Sequence, residues 1–382
     1  MRVGLDLVFL GERAGGVGRY AHELLAALAT GHPELELHAF LSRDAPADLR
    51  AEPWAERVRW SVLRVRTSGP PLHLAASFAA IPALAVARRL DVLHGPANTV
   101  AVGVPGVASV VTMHDLIWRH AGADWGPPAA VRAMERVSVP TVRRARRVIT
   151  DSAVAGRELA AELGVRAERI SVVPLGASAP AGVAATPEPE LRRALALGDG
   201  PVLLCVAQKR PYKNQAVLVR ALAALADRSV RLVLPGAPTA YEQELRRLAT
   251  ALGVGDRVHH PEWVSEADLE GLYGLATAVL LASRLEGFGL PVLEAMVRGV
   301  PVGCSDRSAL PEVAGEAALL FDPDDQDEVD ATVRRLVEEP ALRARLIGRG
   351  HERAATFTWA RTAQLTAAAY ARAAGAGTSA RR

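Results

Sequence analysis

Cysteine, aromatic residues and unbalanced charge are all scarce in this sequence of 382 residues. Its two cysteines, Cys205 and Cys304, each lie in an apolar stretch, which excludes a disulfide-rich framework and predicts small buried residues in a reducing compartment. Aromatic side chains make up only 4% of the chain, so the hydrophobic cores must consist mainly of Ala, Val and Leu. A net charge of +3 is too small to indicate nucleic acid as a partner.

Long apolar runs are also missing. No stretch reaches the ~18 uncharged apolar residues that a membrane-spanning helix requires. At the N-terminus, Asp6 interrupts the short apolar run that a signal peptide would continue. We therefore expect a cytoplasmic protein.

The length and the alternation of strand-like and helix-like segments point to two α/β domains with full cores. Residues 174–189 are rich in Pro, Ala and Gly and lack any periodicity, so we interpret them as a connecting segment. We place an N-terminal domain at residues 1–175, a linker at 176–198 and a C-terminal domain at 199–357.

The most informative stretch is 283–296, Ser-Arg-Leu-Glu-Gly-Phe-Gly-Leu-Pro-Val-Leu-Glu-Ala-Met. The apolar run before it, 276–282, predicts a buried strand, Pro291 suits the first turn of a helix and Gly299 suits its end. In open α/β sheets, ligands bind beside such turns at the carboxyl ends of strands.

The chemistry of this turn suits a diphosphate flanked by sugar hydroxyls. Gly287 and Gly289 let the backbone approach a ligand, and a helix start presents N–H groups and the positive end of a dipole. Glu286 precedes the turn and Glu294 lies one turn into the helix, so two carboxylates bracket the pocket. A turn without a ligand is the alternative, because many α/β proteins have one.

Together these residues resemble the E-x7-E signature of the retaining family-4 glycosyltransferases, with the EGFGLP core intact. The resemblance extends over nearly the whole chain. It implies an α/β fold of the GT-B class, in which two doubly wound Rossmann-like domains face an interdomain cleft. It also implies that the last helix, at 358–373, packs back on the N-terminal domain.

Cations follow the first strand of the C-terminal domain and suggest a phosphate contact, with a solvated loop as the alternative. By the resemblance, Lys213 matches a lysine that binds the donor diphosphate. The family often has an arginine where this chain has Gln208, and Arg210 is the candidate to supply that charge. The diphosphate-binding set implied by the motifs is Lys213, Arg210, Gly287, Phe288, Gly289, Leu290 and Gly16.

The nucleoside is expected farther along the same domain. The resemblance places Trp263 and Val264 against the base, and it assigns Glu294 to the ribose hydroxyls. If main-chain groups contact the base, the residue types do not reveal which base is bound, so the sequence does not identify it.

A second glycine-rich turn, 11–18, follows the strand at 3–10. It is not G-x-G-x-x-G, which disfavours a dinucleotide site. Gly15 and Gly16 match a GGVG-like loop that the family places on the N-domain side of the cleft, beside acceptor and diphosphate. The alternative is a tight turn with no ligand.

His114 and Asp115 end the apolar strand at 107–113, where α/β sites are built. The alternative is a buried histidine satisfied by its neighbour. Because T-x-H-D-L resembles a family motif, His114 is expected to face the donor sugar, while Asp115 contacts the acceptor or only holds the loop. Asn98 is a further candidate for substrate contact.

Trp118 opens an irregular stretch that reaches Pro128. We expect an exposed aromatic that contacts the acceptor sugar, and packing within the loop is the alternative. The basic helix that follows is either a solvated face or an attachment to an anionic membrane surface that holds a lipid-linked acceptor. Its arginines are Arg132, Arg136, Arg143, Arg144, Arg146 and Arg147.

The implied reaction moves a hexose from a nucleotide-diphosphate sugar to a hydroxyl with retention at the anomeric carbon. Glu286 and His114 would hold the sugar, and the cations with the helix start would stabilise the leaving diphosphate without metal or cofactor. Either a donor phosphate oxygen takes the acceptor proton, or Glu286 forms a covalent intermediate. Asp322-Pro323-Asp324 is interpreted as helix capping and not as a metal site.

The substrates stay open at this point. GDP-mannose is the first choice of donor, ahead of a UDP- or dTDP-sugar, and the acceptor is a glycan, a lipid-linked sugar or a secondary metabolite. Two other functions remain, a nucleotide-sugar epimerase on the same architecture and a non-catalytic nucleotide-sugar-binding partner. A peripheral contact with the inner face of the membrane also remains open.

Overall fold

The computed structural model describes residues 1–11, 15–66, 75–180 and 182–378, which divide into two compact units. The first unit comprises the described residues of Met1–Arg119, Pro127–Gly176 and Thr358–Arg382. The second comprises those of His120–Gly126 and Ala177–Phe357.

The first unit is built on a seven-stranded parallel sheet in the order β3-β2-β1-β4-β5-β6-β7. Its strands are rich in Val, Leu, Ile and Ala and are largely buried, as a sheet covered by helices requires. The strands are β1 (Arg2–Leu7), β2 (Glu36–Leu41), β3 (Val58–Val62), β4 (Val92–Gly95), β5 (Ala108–Thr112), β6 (Arg147–Thr150) and β7 (Ile170–Val172). The accompanying helices are α1 (Gly15–Gly31), α2 (Ile81–Ala87), α3 (Ile117–His120), α4 (Pro128–Arg144) and α5 (Ala153–Leu163).

The second unit repeats this plan with a six-stranded parallel sheet in the order β10-β9-β8-β11-β12-β13. The strands are β8 (Val202–Leu204), β9 (Arg231–Val233), β10 (Val258–His259), β11 (Ala278–Leu281), β12 (Val302–Ser305) and β13 (Leu319–Phe321). The helices are α6 (Glu188–Ala194), α7 (Gln215–Ala224), α8 (Ala240–Ala251), α9 (Glu266–Leu275), α10 (Leu290–Val297), α11 (Leu310–Ala314), α12 (Gln326–Glu338) and α13 (Pro340–Ala354). Within the segment 176–198 that we interpreted as linker, residues 188–194 form α6.

Both strand orders run outward from a central pair, β1 and β4 in one sheet and β8 and β11 in the other. The prediction of two doubly wound α/β domains is therefore confirmed. In such sheets ligand sites lie at the carboxyl ends of the strands. His114 follows β5, Asp151 follows β6 and the glycine-rich turn follows β11, so all three are at such ends.

Both cysteines are buried and unpaired, as the sequence predicts. Burial raises the pKa of the thiols of Cys205 and Cys304 to about 12. None of the helices within the described ranges is long and apolar enough to cross a membrane.

Two helix predictions differ from the structure. The sequence of residues 72–90 predicts one helix with a kink at Pro82, but its described part is a π turn at Ala76–Ala80 followed by α2. Pro82 lies in the first turn of α2, where its missing N–H removes a bond to the preceding turn. The first glycine-rich turn is also shorter than expected, because Gly15 and Gly16 already belong to α1.

The last helix, α14 (Trp359–Thr378), belongs to the first unit and lies on α1 and β5. The Tyr370 hydroxyl is 2.7 Å from His94 Nδ1, and the Thr362 hydroxyl donates to the Pro174 carbonyl over 2.8 Å. Tyr370 is fully buried, so this hydrogen bond lies in the interior.

We predict that Tyr370→Phe destabilises the first unit by about 1–3 kcal/mol, because His94 Nδ1 is left buried without a partner. Urea denaturation followed by fluorescence measures the loss. Gln364→Ala, on the exposed face of the same helix, is the control and should change stability little. Equal stability of Tyr370→Phe and wild type would contradict a structural role for this bond.

Candidate functional site

The glycine-rich turn of the second unit joins β11 to α10. Gly289 has φ +103°, and a Cβ there would lie 2.6 Å from the Leu310 side chain, so a larger residue is strained on both counts. Gly289 is also the N-cap of α10, and among the described residues no side chain caps this helix. The first-turn N–H groups of α10 therefore form a site suited to an anion.

Glu286 is held beside this turn by contacts that the sequence did not reveal. Its Oε1 accepts a hydrogen bond from Ser283 Oγ over 2.8 Å and pairs with Lys213 Nζ over 2.6 Å. The Ser308 hydroxyl donates to the Glu286 carbonyl over 2.7 Å. The Glu286 and Lys213 side chains are 11% and 15% exposed, so the pair is shielded yet within reach of a ligand.

Lys213 comes from the loop after β8, in a 3₁₀ turn that precedes α7. Arg284 N donates to the Tyr212 carbonyl over 2.9 Å, which ties this loop to the glycine-rich turn. Arg210 lies three residues before Lys213. Within the part of the chain that the structure describes, its guanidinium forms no hydrogen bond or ion pair.

Lys209 is a buried cation that sequence reasoning missed. Its side chain is fully buried, donates to the Gly236 carbonyl over 2.6 Å and pairs with Glu242 over 3.0 Å. These contacts fasten the loop after β8 to the loop after β9. The only sequence signal was its place next to an apolar strand, and the neighbouring Arg210 made a solvated pair equally plausible.

Glu294 lies one turn into α10 and is 6% exposed. Its Oε2 accepts a hydrogen bond from the Tyr273 hydroxyl over 2.9 Å. The Arg298 guanidinium lies 4.6 Å from the centre of the Tyr273 ring and pairs with Glu270. The Glu294 carboxylate is thus held by Tyr273, whose ring in turn packs against Arg298.

Trp263 and Val264 lie on the loop between β10 and α9. The Trp263 side chain is 59% exposed, which is unusual for so large an apolar group, and Val264 is half-buried. Ser265 caps α9 by accepting from Asp268 N over 3.0 Å, which holds the end of this loop. An exposed indole at the carboxyl end of a strand is able to stack on a planar ring.

In the first unit, His114 is almost fully enclosed. Its Nδ1 donates to Asp151 Oδ2 over 2.6 Å, its Nε2 donates to the Pro96 carbonyl over 2.9 Å, and its main-chain N donates to Asn98 Oδ1 over 3.1 Å. A carboxylate and a carbonyl only accept hydrogen bonds, so both ring nitrogens carry a proton and the ring is an imidazolium.

The pKa of His114 agrees with this donor count. Burial alone would lower it, but the Asp151 carboxylate outweighs burial and raises the pKa to about 9. Asp151 and Ser152 precede α5, a pattern that predicts a helix cap from the sequence. The cap is Ser152, whose side chain accepts from Ala155 N, while Asp151 accepts a hydrogen bond from His114.

His94 lies close by and stays neutral. Its Nε2 is 2.8 Å from the Thr112 hydroxyl, which is also 2.8 Å from the Tyr20 hydroxyl. Burial, and then the positive charge of His114, lower the pKa of His94 to about 3. At neutral pH, His114 is therefore positively charged and the nearby His94 is neutral.

The remaining residues assigned to the first unit have local roles in the structure. Asp115 Oδ1 accepts from Ile117 N over 2.9 Å at the start of α3. The expectation of an exposed Trp118 is wrong, because its side chain is 1% exposed and packs inside the unit. Gly15 and Gly16 are exposed in the first turn of α1, and residues 12–14 of their loop lie outside the described residues.

Asp322 and Asp324 form ion pairs with arginines, Asp322 with Arg307 over 2.6 Å and Asp324 with Arg284 over 2.7 Å. The cap of α12 is Asp325, the residue after this Asp-Pro-Asp pattern, which accepts from Asp327 N and Glu328 N. Over residues 1–11, 15–66, 75–180 and 182–378, no three His, Cys, Asp or Glu side chains are arranged to hold a metal ion.

Two family models match this chain. The model "Glycosyl transferases group 1" matches residues 187–353, and the model "Glycosyltransferase Family 4" matches residues 14–179. Each match falls on one of the two parallel-sheet units.

Curated relatives match over most of their length. The chain is 30% identical to the MMP alpha-(1->4)-mannosyltransferase of Mycolicibacterium hassiacum, over 98% of each chain. It is 30% identical to the D-inositol 3-phosphate glycosyltransferase of Acidothermus cellulolyticus, over 92% of this chain and 84% of that protein. It is also 30% identical to the O-antigen chain mannosyltransferase B of Escherichia coli, over 69% of this chain and 70% of that protein.

Solved structures share the fold. The HepE protein of Anabaena in complex with UDP and glucose superposes with a TM-score of 0.76 at 20% identity, over 96% of this chain and 98% of that one. The sucrose-phosphate synthase of Thermosynechococcus elongatus gives a TM-score of 0.77 at 22% identity, over 98% of this chain and 100% of that one.

We predict that Asp151→Asn lowers the pKa of His114 from about 9 to below 6.5, because burial then acts without the carboxylate. An NMR titration of ¹³C-labelled histidine measures it, and His114→Asn identifies the signal. Asp124→Asn, which removes an exposed carboxylate, is the control. An unchanged titration in Asp151→Asn would contradict the proposed pairing.

The same pair makes stability depend on pH. Because the pKa of His114 is raised on folding, its stabilisation is complete below about pH 6.5 and is lost as pH rises through about 9. The stability difference between wild type and Asp151→Asn should therefore shrink over this range.

Proposed function

Because this chain belongs to the family-4 glycosyltransferases, we propose that it moves a hexose, mannose as first choice, from a nucleotide-diphosphate sugar to a hydroxyl acceptor. The protein is a transferase, and its fold is that of the GT-B glycosyltransferases. Retention at the anomeric carbon and independence from metal are part of the proposal. The observation that carries it is the shielded Lys213–Glu286 pair at the uncapped start of α10.

The donor diphosphate would bind at this start. Main-chain N–H groups around Gly289 and Leu290 and the ammonium of Lys213 would supply positive charge there. Arg210, three residues before Lys213, is proposed to add its guanidinium. Without a donor, Lys213 and Glu286 neutralise each other over 2.6 Å. A diphosphate offers Lys213 a more highly charged partner, and as the sugar–phosphate bond breaks the same groups stabilise the growing negative charge.

Glu286 would hold the sugar. Lys213 and Ser283 both contact Oε1, so Oε2 is the oxygen placed to accept from a sugar hydroxyl. We propose that a donor phosphate oxygen takes the acceptor proton from the same face, and a covalent intermediate on Glu286 is the alternative.

The nucleoside would lie near Trp263 and Glu294. The Trp263 indole is 59% exposed and is able to stack on the base, beside the main chain of Val264. The Tyr273 hydroxyl donates to Glu294 Oε2, and because a carboxylate accepts several hydrogen bonds we propose the ribose hydroxyls as further donors to it.

His114 would act as a fixed positive charge. Both of its ring N–H groups donate to acceptors of the protein, and its pKa of about 9 keeps the ring charged at neutral pH. A sugar hydroxyl that approaches Nε2 would replace the Pro96 carbonyl as acceptor. Asn98 fixes the main chain of His114 and is proposed to position it.

Mannose is the first choice because two relatives are named as mannosyltransferases, whereas HepE was solved with UDP and glucose. We expect the protein to turn over radiolabelled GDP-mannose, with UDP-glucose and dTDP-rhamnose as comparison donors and EDTA as a test for metal. Transfer or slow hydrolysis of a donor, with retained configuration by NMR, supports the proposal. A donor that is epimerised without acceptor indicates an epimerase, and no reaction with any donor indicates a non-catalytic binding protein.

Substitution of Glu286 and of Glu294 should affect different kinetic parameters. Glu286→Gln should lower kcat about 100-fold or more with little change in nucleotide affinity, since it contacts the reacting sugar. Glu294→Gln should raise the donor KM about tenfold, since it loses a charge-assisted hydrogen bond to the ribose. Glu338→Gln, an exposed residue of α12, is the control. Equal losses of nucleotide affinity from both glutamate variants would contradict these roles.

A further inference from the structure

The first unit carries an arginine cluster at the amino edge of its sheet. All strands of this sheet are parallel, so β5, β6 and β7 begin at one edge, where α4 ends. The C-terminal helix α14 adds one more arginine, whose guanidinium reaches Ser171 Oγ of β7 over 3.3 Å. The arginine cluster consists of Arg143, Arg144, Arg146, Arg147, Arg166, Arg169 and Arg372.

The positive charges of this cluster are almost uncompensated. Arg169 donates to the Arg143 and Val142 carbonyls over 2.8 and 3.0 Å, and Arg147 donates to the Glu168 carbonyl over 2.9 Å. These partners are neutral. Among the residues that the structure describes, the one carboxylate paired with the cluster is that of Glu168, 3.2 Å from Arg166.

Crowding of like charges is also visible in the pKa values. Burial, and then the neighbouring Arg372 and Arg169, lower the pKa of Arg147, and burial followed by Arg166 lowers that of Arg169. Arg144 and Arg146 are exposed, and within the described part of the chain their guanidinium groups form no hydrogen bond or ion pair. Both are available to an anionic partner.

The first unit also carries an apolar groove. It lies between α2 with its preceding π turn and the loop before β5, and encloses a cavity of about 360 Å³. Phe78 and Val86 are 40% and 45% exposed. The groove is lined mainly by Phe78, Pro82, Val86, Val102, Val104 and Pro105.

Hydrogen bonds and chain connectivity join the two features. The Thr141 hydroxyl of α4 donates to the Val100 carbonyl at the start of the groove loop over 3.4 Å. Arg146 N donates to the Ser109 carbonyl over 2.9 Å, two residues after that loop ends. These bonds hold the groove loop against α4 and the start of β6, so we treat the groove and the arginine cluster as one candidate docking surface.

We propose that this surface docks on a bilayer that contains anionic phospholipid. The arginines would contact lipid phosphates, each contributing about 1 kcal/mol near the surface. Phe78 and Val86 would enter the boundary between headgroups and acyl chains, where exposed apolar residues are stabilised. A soluble polyanion such as RNA would use the arginines but gain nothing from an uncharged apolar groove, which is why we commit to the bilayer.

The test is co-sedimentation of the full chain with vesicles of phosphatidylcholine alone, or with about 30 mol% phosphatidylglycerol at low salt. We expect binding only to the anionic vesicles. The double variant Arg144→Gln/Arg146→Gln should partition about 25-fold more weakly, and Phe78→Ser/Val86→Ser about tenfold more weakly. The control, Arg334→Gln/Arg345→Gln, removes two exposed arginines of the second unit and should bind like wild type.

The proposal would be overturned if wild type did not bind anionic vesicles, or if it bound neutral vesicles equally well. Equal losses of binding in the control and in the Arg144/Arg146 variant would overturn it too. Unchanged binding of Phe78→Ser/Val86→Ser would also overturn it and indicate a soluble polyanion. Because these variants lie away from the donor site, their turnover of a soluble donor and acceptor should equal that of wild type. A failed sugar-transfer assay thus leaves the vesicle result interpretable, and the reverse holds as well.

Discussion

Parallel pairing of every strand decides where chemistry is able to occur in this protein. It brings the carboxyl ends of all strands in a unit to one edge, so loops distant in sequence deliver side chains to a common place. Glu286 and Lys213 come from loops after β11 and β8, and His114 and Asp151 come from loops after β5 and β6. The opposite edge of the first sheet collects the arginines. Parallel pairing thus places the candidate site residues at the carboxyl edge and the arginine cluster at the amino edge of the first sheet.

At both carboxyl edges a buried charge is held by an opposite one. In the second unit the ammonium of Lys213 faces a carboxylate, and in the first unit the imidazolium of His114 does. Burying an unpaired charge costs several kcal/mol, so each pair is the condition under which an ionised group persists in a shielded site. The two pairs differ in what we propose for the donor complex. A diphosphate would compete with Glu286 for Lys213, whereas Asp151 would stay paired with His114.

Local features of this structure followed from the sequence, and long-range partners did not. The strand, turn and helix around 278–297 were predictable because glycine, proline and an apolar run act within a few residues. Ser283 and Ser308 gave no signal, because a lone serine is compatible with any surface loop. The buried Lys209 was missed because it stands beside Arg210, and two adjacent cations suggested a solvated loop. Trp118 was misplaced because a four-residue helix leaves no periodicity to read.

The return of α14 to the first unit has a consequence for synthesis of the protein on the ribosome. When residue 176 emerges, all seven strands of the first sheet exist, but the helix that closes them is about 180 residues away in the chain. Until Tyr370 is synthesised, His94 Nδ1 lacks this hydrogen-bond partner. The first unit therefore completes its fold only after the residues of the second unit have been made.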